Sequence, residues 1–308
     1  MGKDLYRGNI EVLDDAVHRS IAAVTTIVAL IYCHQHDRDL SLPDPNASLA
    51  ENLLIMIGRV QGDSGKPDPI MTSFLNRTWI LYADHEMTAS TSAGLHCAST
   101  LADPASAMIA TVCAAGGPLH GGAIDIAYKN FERTATKENV QRLIDDVKAK
   151  KYRLFGYGHR IYKTVDPRLK YLRAMLEQLT AHDDEMSPLL AVALEIDRVA
   201  STDSYFTSRN LKPNADLYGS FVFAAMYVLL FSPFLLLFFF LPLGRPNRRF
   251  SLTDWLYFLL SRGFDPRIIS SLMVNARAVG FLAHWRELIM GPARLWRPLQ
   301  VFTGKLVA

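Results

Sequence analysis

Cysteine, net charge and polar–apolar alternation are all scarce in this 308-residue sequence. Its three cysteines form no Cys-x-x-Cys pair, which argues against a disulfide framework or a cysteine zinc site and favours a reducing compartment. Lysine and arginine total 33 and aspartate and glutamate total 30, so a net charge of +3 gives no support to nucleic-acid binding. Hydrophobic residues make up 50% of the chain, which excludes overall disorder and predicts a globular protein.

Neither end of the sequence shows a targeting signal. Residues 1–20 contain four acidic side chains, whereas mitochondrial presequences are poor in acidic residues. The last three residues, 306–308, do not form a peroxisomal signal. We therefore expect a cytoplasmic location, with other compartments left open.

Most of the chain has apolar residues at the three- and four-residue spacings of α-helices. Only Tyr152–Phe155 alternates in the manner of a strand, and it is short. Ser48 and Glu51 predict a capping box at a helix start, and the turn residues of 62–67 predict a loop. The prediction is an all-α fold with helices that include 9–34, Pro69 to about Asp84, 137–150, 167–181, 188–201 and 266–289.

One segment departs from this pattern. Residues 217–244 carry no charge and are followed by Arg245, Arg248 and Arg249. This length is enough to cross a membrane, with 221–243 as the span. However, its abundant Phe, Leu, Ser and Pro residues are those encoded by pyrimidine-rich codons. Translation of an unspliced intron is therefore the interpretation that the composition favours, and a membrane span is the alternative.

Three common kinds of site are not supported by the sequence. Glycines 116–122 do not form Gly-x-Gly-x-x-Gly, and no strand precedes them, which argues against a dinucleotide-binding loop. His85-Glu86 lacks the second histidine of a zinc protease. The segment 34–37 has two histidines but is typical of a solvated helix end. No metal site is predicted.

Two histidines lie in glycine-rich segments between predicted helices. His120 stands between Gly117 and Gly121, and His159 follows Gly158. Glycine allows the backbone to approach a ligand closely, and loops held by a helical scaffold often carry catalytic groups. On this pattern alone, a structural role and a catalytic role are equally well supported.

An acidic residue and an arginine extend this set. Asp216 lies in the turn-forming segment 213–216, and Arg277 lies on a largely apolar helix. A buried guanidinium needs an anionic partner, and a ligand carboxylate would serve. Two histidines, one carboxylate and several arginines suit carbon-acid chemistry on an anionic substrate.

A series of motifs along the chain closely resembles the citrate synthase family, in the family's order. The resemblance covers nearly the whole chain except about 226–262. The motifs are Ala-Asp-His-Glu at 83–86, Gly-Pro-Leu-His-Gly-Gly at 117–122, Gly-Tyr-Gly-His-Arg at 156–160, Asp-Pro-Arg at 166–168, Asn-Ala-Asp-Leu-Tyr at 214–218, Ala-Arg-Ala-Val-Gly and Ala-His-Trp-Arg-Glu within 276–287, and Trp-Arg-Pro at 296–298.

The resemblance implies a large and a small helical domain with the active site in the cleft between them. Residues 1–120 would form part of the large domain, 121–225 mainly the small coenzyme A-binding domain, and 263–308 the return to the large domain. Residues 226–262 would be an atypical apolar insertion. Family members also carry a substantial N-terminal portion ahead of the region that matches residues 1–80.

The resemblance also implies the catalytic roles. Asp216 resembles the base that removes the α-proton of an acyl-CoA, and His120 resembles the donor that stabilises the resulting enol or enolate. His159 resembles the group that polarises and protonates the carbonyl of oxaloacetate. The implied activity is condensation of acyl-CoA with oxaloacetate, followed by thioester hydrolysis, with no metal or redox cofactor.

The substrate ligands follow from the same resemblance. His85, Arg168 and Arg277 resemble oxaloacetate ligands, and Arg297 resembles the arginine supplied by the other subunit of a homodimer. The expected coenzyme A site consists of Leu154, Phe155, Gly156, Tyr157, Gly158 and Lys163.

Two questions stay open at the level of sequence. The acyl group can be acetyl, propionyl or longer, giving citrate, methylcitrate or an alkylcitrate, the last as in members that serve specialised metabolism. The alternatives to an active enzyme are an inactive truncated relative and a membrane-anchored relative that uses 221–243 as a span.

Overall fold

The computed structural model describes residues 6–61, 64–159, 162, 164–180, 188–225 and 268–297. In these ranges the regular structure is helical, which confirms the predicted all-α fold. Extended backbone pairs there only at two isolated bridges, Gln61 with Lys66 and Tyr157 with Pro213. The alternating segment 152–155 forms no strand.

The helices differ in length from one turn to seven. A short 3₁₀ helix, Lys137–Asn139, precedes α7. The α-helices are α1 Ile10–Gln35, α2 Leu49–Met56, α3 Pro69–Tyr82, α4 Ala89–Ala98, α5 Pro104–Ala115, α6 Ala123–Thr134, α7 Val140–Lys148, α8 Leu169–Thr180, α9 Pro188–Thr202, α10 Ser204–Thr207, α11 Asp216–Ala225 and α12 Ile269–Met290.

Local chemistry sets several of these helix ends. The predicted capping box is present at α2, where Ser48 Oγ accepts from the Glu51 N–H and the Glu51 carboxylate accepts from the Ser48 N–H. The predicted helix at 167–181 begins two residues later, at Leu169. The Asp166 carboxylate accepts from the Arg168 N–H at 3.0 Å and holds a turn ahead of the helix.

Helices α4 and α5 pack closely because small residues face each other. A Cβ atom added at Gly94 would lie 2.1 Å from Thr111 Oγ1, so only glycine fits there without a shift. These helices are rich in Ala, Ser and Thr and have no stripe of large apolar residues. The three- and four-residue spacing of large apolar residues, on which the other helix predictions rest, is therefore weak in both α4 and α5.

Helix α12 is central and contacts α1, α3, α4, α5 and α6. It comes close to the end of α3 at Gly280, whose N–H donates to Ala83 O at 3.1 Å. A Cβ atom at this position would lie 2.2 Å from the same oxygen. The contact places α12, with Arg277, directly against the end of α3, which His85 follows.

The apolar segment singled out in the sequence starts inside the fold. Residues 217–223 belong to α11 and are all buried, so the proposed span 221–243 begins in the protein core. Residues 226–262 lie outside the described residues, and both interpretations of them stay predictions. The division into two domains also stays a prediction.

Among the described residues, one helix is long and apolar enough to cross a membrane by length and composition, namely α1. Core helices of soluble proteins pass the same test. Helix α1 packs against α12 and α2 and buries Leu13, Val28 and Tyr32.

Candidate active site

A cavity of about 110 Å³ opens where the ends of several helices meet. Its wall is formed by two turns, α3–α4 and α5–α6, together with the first turn of α11 and the middle of α12. The three predicted catalytic residues and three of the four predicted oxaloacetate ligands line it, namely His85, His120, His159, Arg168, Asp216 and Arg277.

His120 lies in the turn between α5 and α6 and contacts the start of α4. The Ser90 hydroxyl lies 2.7 Å from His120 Nε2, and the Ser90 N–H donates to the same nitrogen at 3.4 Å. Because a backbone N–H can only donate, Nε2 accepts and Nδ1 carries the proton. Burial, with the nearby Arg277, lowers the pKa of His120. His120 is therefore a neutral hydrogen-bond donor.

His85 and His159 form a second histidine site, with their Nε2 atoms 3.3 Å apart. The Tyr162 N–H donates to His159 Nδ1 at 3.1 Å, so His159 carries its proton on Nε2 and donates it to His85. His85 Nδ1 then lies 3.3 Å from the Tyr162 hydroxyl. Burial lowers the pKa of both imidazoles, and Arg168 and Arg277 help to bring that of His85 to about 4.

Arg168 is held by a buried carboxylate that sequence reasoning missed. Its Nε lies 3.0 Å from Asp166 Oδ1 and its Nη2 lies 2.7 Å from Asp166 Oδ2. Asp166 also accepts from the Ala215 N–H at 3.0 Å. One carboxylate thus orients the Arg168 fork and ties it to the residue before Asp216.

Arg277 lies on α12 with its Nε–H donating to Tyr82 O at 2.6 Å. Burial, followed by the positive charge of Arg168, lowers its pKa to about 10. No carboxylate among the described residues forms an ion pair with it. A buried guanidinium without a paired carboxylate can bind an anionic ligand.

Asp216 is the first residue of α11. Its N–H donates to Asn214 Oδ1 at 3.0 Å, which closes the turn ahead of the helix. Burial raises the pKa of its carboxyl to about 6, and Asp166 contributes in the same direction, while Arg168 and Arg277 oppose the shift. A carboxylate with this pKa is a stronger base than an exposed aspartate and is still ionised at neutral pH.

The predicted coenzyme A loop packs against the chain that carries Asp216. Gly156 has φ +88° and approaches α11 so closely that a Cβ atom would lie 3.1 Å from Leu217 Cα. Asn214 Nδ2 donates to Gly158 O at 2.8 Å. The side chains of Leu154 and Tyr157 face the core, and Phe155 packs against it. Lys163 lies outside the described residues.

Arg297 does not line the cavity of its own chain and is exposed. The neighbouring Trp296 N–H donates to Ser99 Oγ at 3.1 Å, at the far end of α4 from Ser90. Ser99 follows Ser90 by nine positions along the helix, a distance of about 14 Å.

The described residues contain no group of three or more His, Cys, Asp and Glu side chains placed to hold a metal ion. What they bring together is one base of raised pKa, neutral histidine donors and two arginines around a single cavity. This arrangement can bind a small dianion and remove a proton from a second, weakly acidic molecule beside it.

The model of the family described as "Citrate synthase, C-terminal domain" matches residues 3–240. This chain belongs to the citrate synthase family. Among curated proteins, it is 42% identical to citrate synthase-like protein oryE of Aspergillus oryzae over 99% of the chain and 60% of that protein. It is 32% identical to alkylcitrate synthase phiJ of a fungal species over 98% of the chain and 58% of that protein. The chain thus spans about three fifths of these relatives.

Solved structures show the same fold. Citrate synthase from Thermoplasma acidophilum, in a ternary complex with carboxymethyl coenzyme A and oxaloacetate, superimposes with a TM-score of 0.77 at 28% sequence identity. That comparison covers 98% of this chain and 69% of the archaeal chain.

Proposed function

We propose that this protein condenses an acyl-CoA with oxaloacetate and hydrolyses the resulting thioester, releasing coenzyme A and a citrate or 2-alkylcitrate. One observation carries the proposal. Asp216, with its raised pKa, shares a single cavity with a neutral histidine donor and a cluster of two arginines and two histidines. The names of the relatives and the ligands of the archaeal structure support it.

The polar wall suits oxaloacetate. Arg168 and Arg277 supply two guanidinium groups for its two carboxylates, and a planar fork binds a carboxylate in a fixed orientation. His159 carries its proton on Nε2 and donates it to the ketone oxygen in place of His85. The ketone carbon becomes more electrophilic, and the same proton neutralises the alkoxide when the new bond forms. The α-proton that Asp216 takes up then restores the neutral imidazole of His159.

The opposite wall activates the acyl-CoA. Asp216 takes the α-proton of the thioester, and the Nδ1–H of His120 donates to the oxygen on which negative charge develops. A fixed donor of this kind contributes about 3–4 kcal/mol in comparable sites. The α-carbon attacks the ketone carbon of oxaloacetate, and water then cleaves the thioester to release coenzyme A.

The loop 154–159 would bind coenzyme A where Phe155, Gly158 and His159 are only partly buried, because Leu154, Gly156 and Tyr157 are buried. The peptide groups at Gly156 and Gly158 are already paired, since Gly156 O accepts from the Asn214 N–H and the Gly158 N–H donates to Lys212 O. These bonds fix the loop before coenzyme A binds.

The proposed working unit is a homodimer. The outer face of α5 has no charge and exposes Ile109 and Val112, which favours burial against a second copy. Arg297 lies outside the cavity of its own chain, and a dimer would let each copy complete the cavity of the other. Sedimentation of the purified protein tests this, and a monomer with full activity would contradict it.

A thiol-release assay tests the proposed reaction. Free coenzyme A should appear only when oxaloacetate and an acyl-CoA are both present, and mass spectrometry of the product with acetyl-, propionyl- and longer acyl-CoA donors identifies the acyl group. Product without oxaloacetate would refute the proposal. A folded protein that binds oxaloacetate but releases no thiol with any donor would favour the inactive alternative.

A further inference from the structure

A buried carboxylate outside the cavity joins the two segments that carry His159 and Asp216. Asp197 lies on α9, and only 8% of its side chain is exposed. Tyr157, two residues before His159, donates from its hydroxyl to Asp197 Oδ1, and Asp197 O lies 3.1 Å from the same hydroxyl. Tyr218, two residues after Asp216, donates to Asp197 Oδ2 at 2.7 Å.

The charge of Asp197 is balanced from α8. Arg173 forms an ion pair with Asp197 Oδ2, and its Nη2 also donates to the Tyr218 hydroxyl at 3.2 Å. The Arg173 side chain is 49% exposed, so this cation keeps part of its hydration while it pairs with the buried carboxylate.

Few hydrogen-bond arrangements are available to the hydroxyls of Tyr157 and Tyr218. Tyr157 and Tyr218 are buried, and a buried hydroxyl needs a partner. An ionised carboxylate only accepts, so its two oxygens fix the direction of both hydroxyls. The backbones approach each other closely as well, since Gly156 packs against Leu217. None of these contacts involves the residues expected to hold oxaloacetate.

We infer that Asp197 is a positioning residue, whose carboxylate locks the 156–159 loop onto the first turn of α11 and so sets where His159 stands relative to Asp216. The kinetic part of this inference rests on the proposed condensation. The structural part does not, because it concerns only how two segments are held together.

Asp197→Asn tests the inference. A carboxamide keeps the shape but has one acceptor oxygen in place of two and no charge, so it weakens the contacts to the two phenols and removes the ion pair with Arg173. Since a misplacement of about 1 Å costs on the order of 10²-fold in rate, we expect kcat to fall about 10- to 100-fold. The KM for acyl-CoA should rise, whereas the dissociation constant for oxaloacetate should change less than kcat does, because Arg168 and Arg277 share no partner with Asp197.

Tyr157→Phe, which removes one hydroxyl, gives a milder test. If Tyr157 acts through Asp197, its effect on kcat should be much smaller in the Asp197→Asn background than in the wild type. Equal effects in the two backgrounds would overturn the inference. Asp14→Asn is the matched control, because Asp14 pairs with Arg286 between α1 and α12, away from the cavity. It should leave both Michaelis constants unchanged.

Amide hydrogen exchange gives a readout that does not need turnover. Asp197→Asn should speed exchange in both 156–159 and 216–219, and Asp14→Asn should speed it in neither. Unchanged exchange in these segments would overturn the inference even in an active enzyme. If Asp197→Asn speeds exchange in these segments but the wild-type protein releases no thiol, the inference stands and the proposed reaction is refuted.

Discussion

His85 and His159 share one proton between their Nε2 atoms, 3.3 Å apart. The Tyr162 N–H fixes the direction, because it donates to His159 Nδ1 and leaves the proton on His159 Nε2. Burial lowers the pKa of both rings, so both are neutral at pH 7. The positive charge on this part of the cavity wall therefore comes from Arg168 and Arg277, which stay charged.

The first prediction concerns the pH profile. Because the pKa of Asp216 is raised to about 6 and those of the three site histidines are lowered, we expect Asp216, the proposed base, to set the acid limb. We expect kcat/KM to rise about tenfold per pH unit below 6 and to level off above it. Steady-state rates from pH 4.5 to 8 measure this. A midpoint near 4 would mean that Asp216 is not desolvated in the active enzyme.

The second prediction is that Asp216→Asn loses activity but gains stability. Turnover should fall by about 10²- to 10⁴-fold, because the base is removed while the shape is kept. The wild-type pKa is raised to about 6, so the ionised carboxylate destabilises the folded state above that pH. The variant should therefore be more stable by on the order of 1–3 kcal/mol at pH 7, and this gain should disappear towards pH 4.

Urea unfolding at pH 4, 5, 6 and 7 measures this difference. Asp203→Asn is a control of opposite sign, because Asp203 pairs with Lys148 at 2.7 Å, which lowers the pKa of its carboxyl. Its replacement should reduce stability at pH 7 and reduce it less towards pH 4. A stability gain that stays the same at all four pH values would contradict the assignment of the raised pKa to Asp216.

The third prediction concerns oxaloacetate affinity. Arg277→Lys keeps a positive charge but loses the planar fork, so we expect the KM for oxaloacetate to rise about 10- to 100-fold with a smaller change in kcat. Arg198→Lys is the control, because Arg198 pairs with Glu195 on the exposed side of α9. If the acyl-CoA KM rises instead, Arg277 contacts the other substrate.

The fourth prediction concerns the packing beneath Asp216. A Cβ atom at Gly219 would lie 2.0 Å from Tyr82 Oη, so Gly219→Ala should destabilise the protein by about 1–3 kcal/mol. Adding Tyr82→Phe removes that oxygen and leaves Cζ, 3.1 Å away, as the nearest atom. The double variant should recover most of the lost stability. If the two substitutions instead lower the melting temperature additively, the clash at Gly219→Ala is relieved by a movement that does not involve the Tyr82 hydroxyl.

The fifth prediction concerns residues 226–262. Deleting them should increase soluble yield and turnover, because the segment follows the helix that begins at Asp216 and should disturb the catalytic turn. Sequencing of spliced RNA gives an independent check that does not require a folded protein. Mature transcripts that uniformly encode 226–262 would refute the intron interpretation and favour the membrane span.

Sequence patterns predicted most of the long helices and the motif residues that line the cavity. They missed α6 and α11, and they missed α4 and α5 because small residues and close backbone contact hold that pair together. They also missed Ser90 and Asp166, which act by orienting His120 and Arg168. A single serine or aspartate has no periodicity and no spacing rule, so its role appears only once the chain is folded.

The raised pKa of Asp216 depends on the exclusion of water, and this makes the base conditional. Any opening of the cavity that hydrates the carboxylate would return its pKa towards that of an ordinary aspartate and weaken it about a hundredfold as a base. In the proposed reaction, a thioester that met the open site would therefore lose its α-proton more slowly. The burial that strengthens the proposed base would thus also limit enolisation outside the closed site.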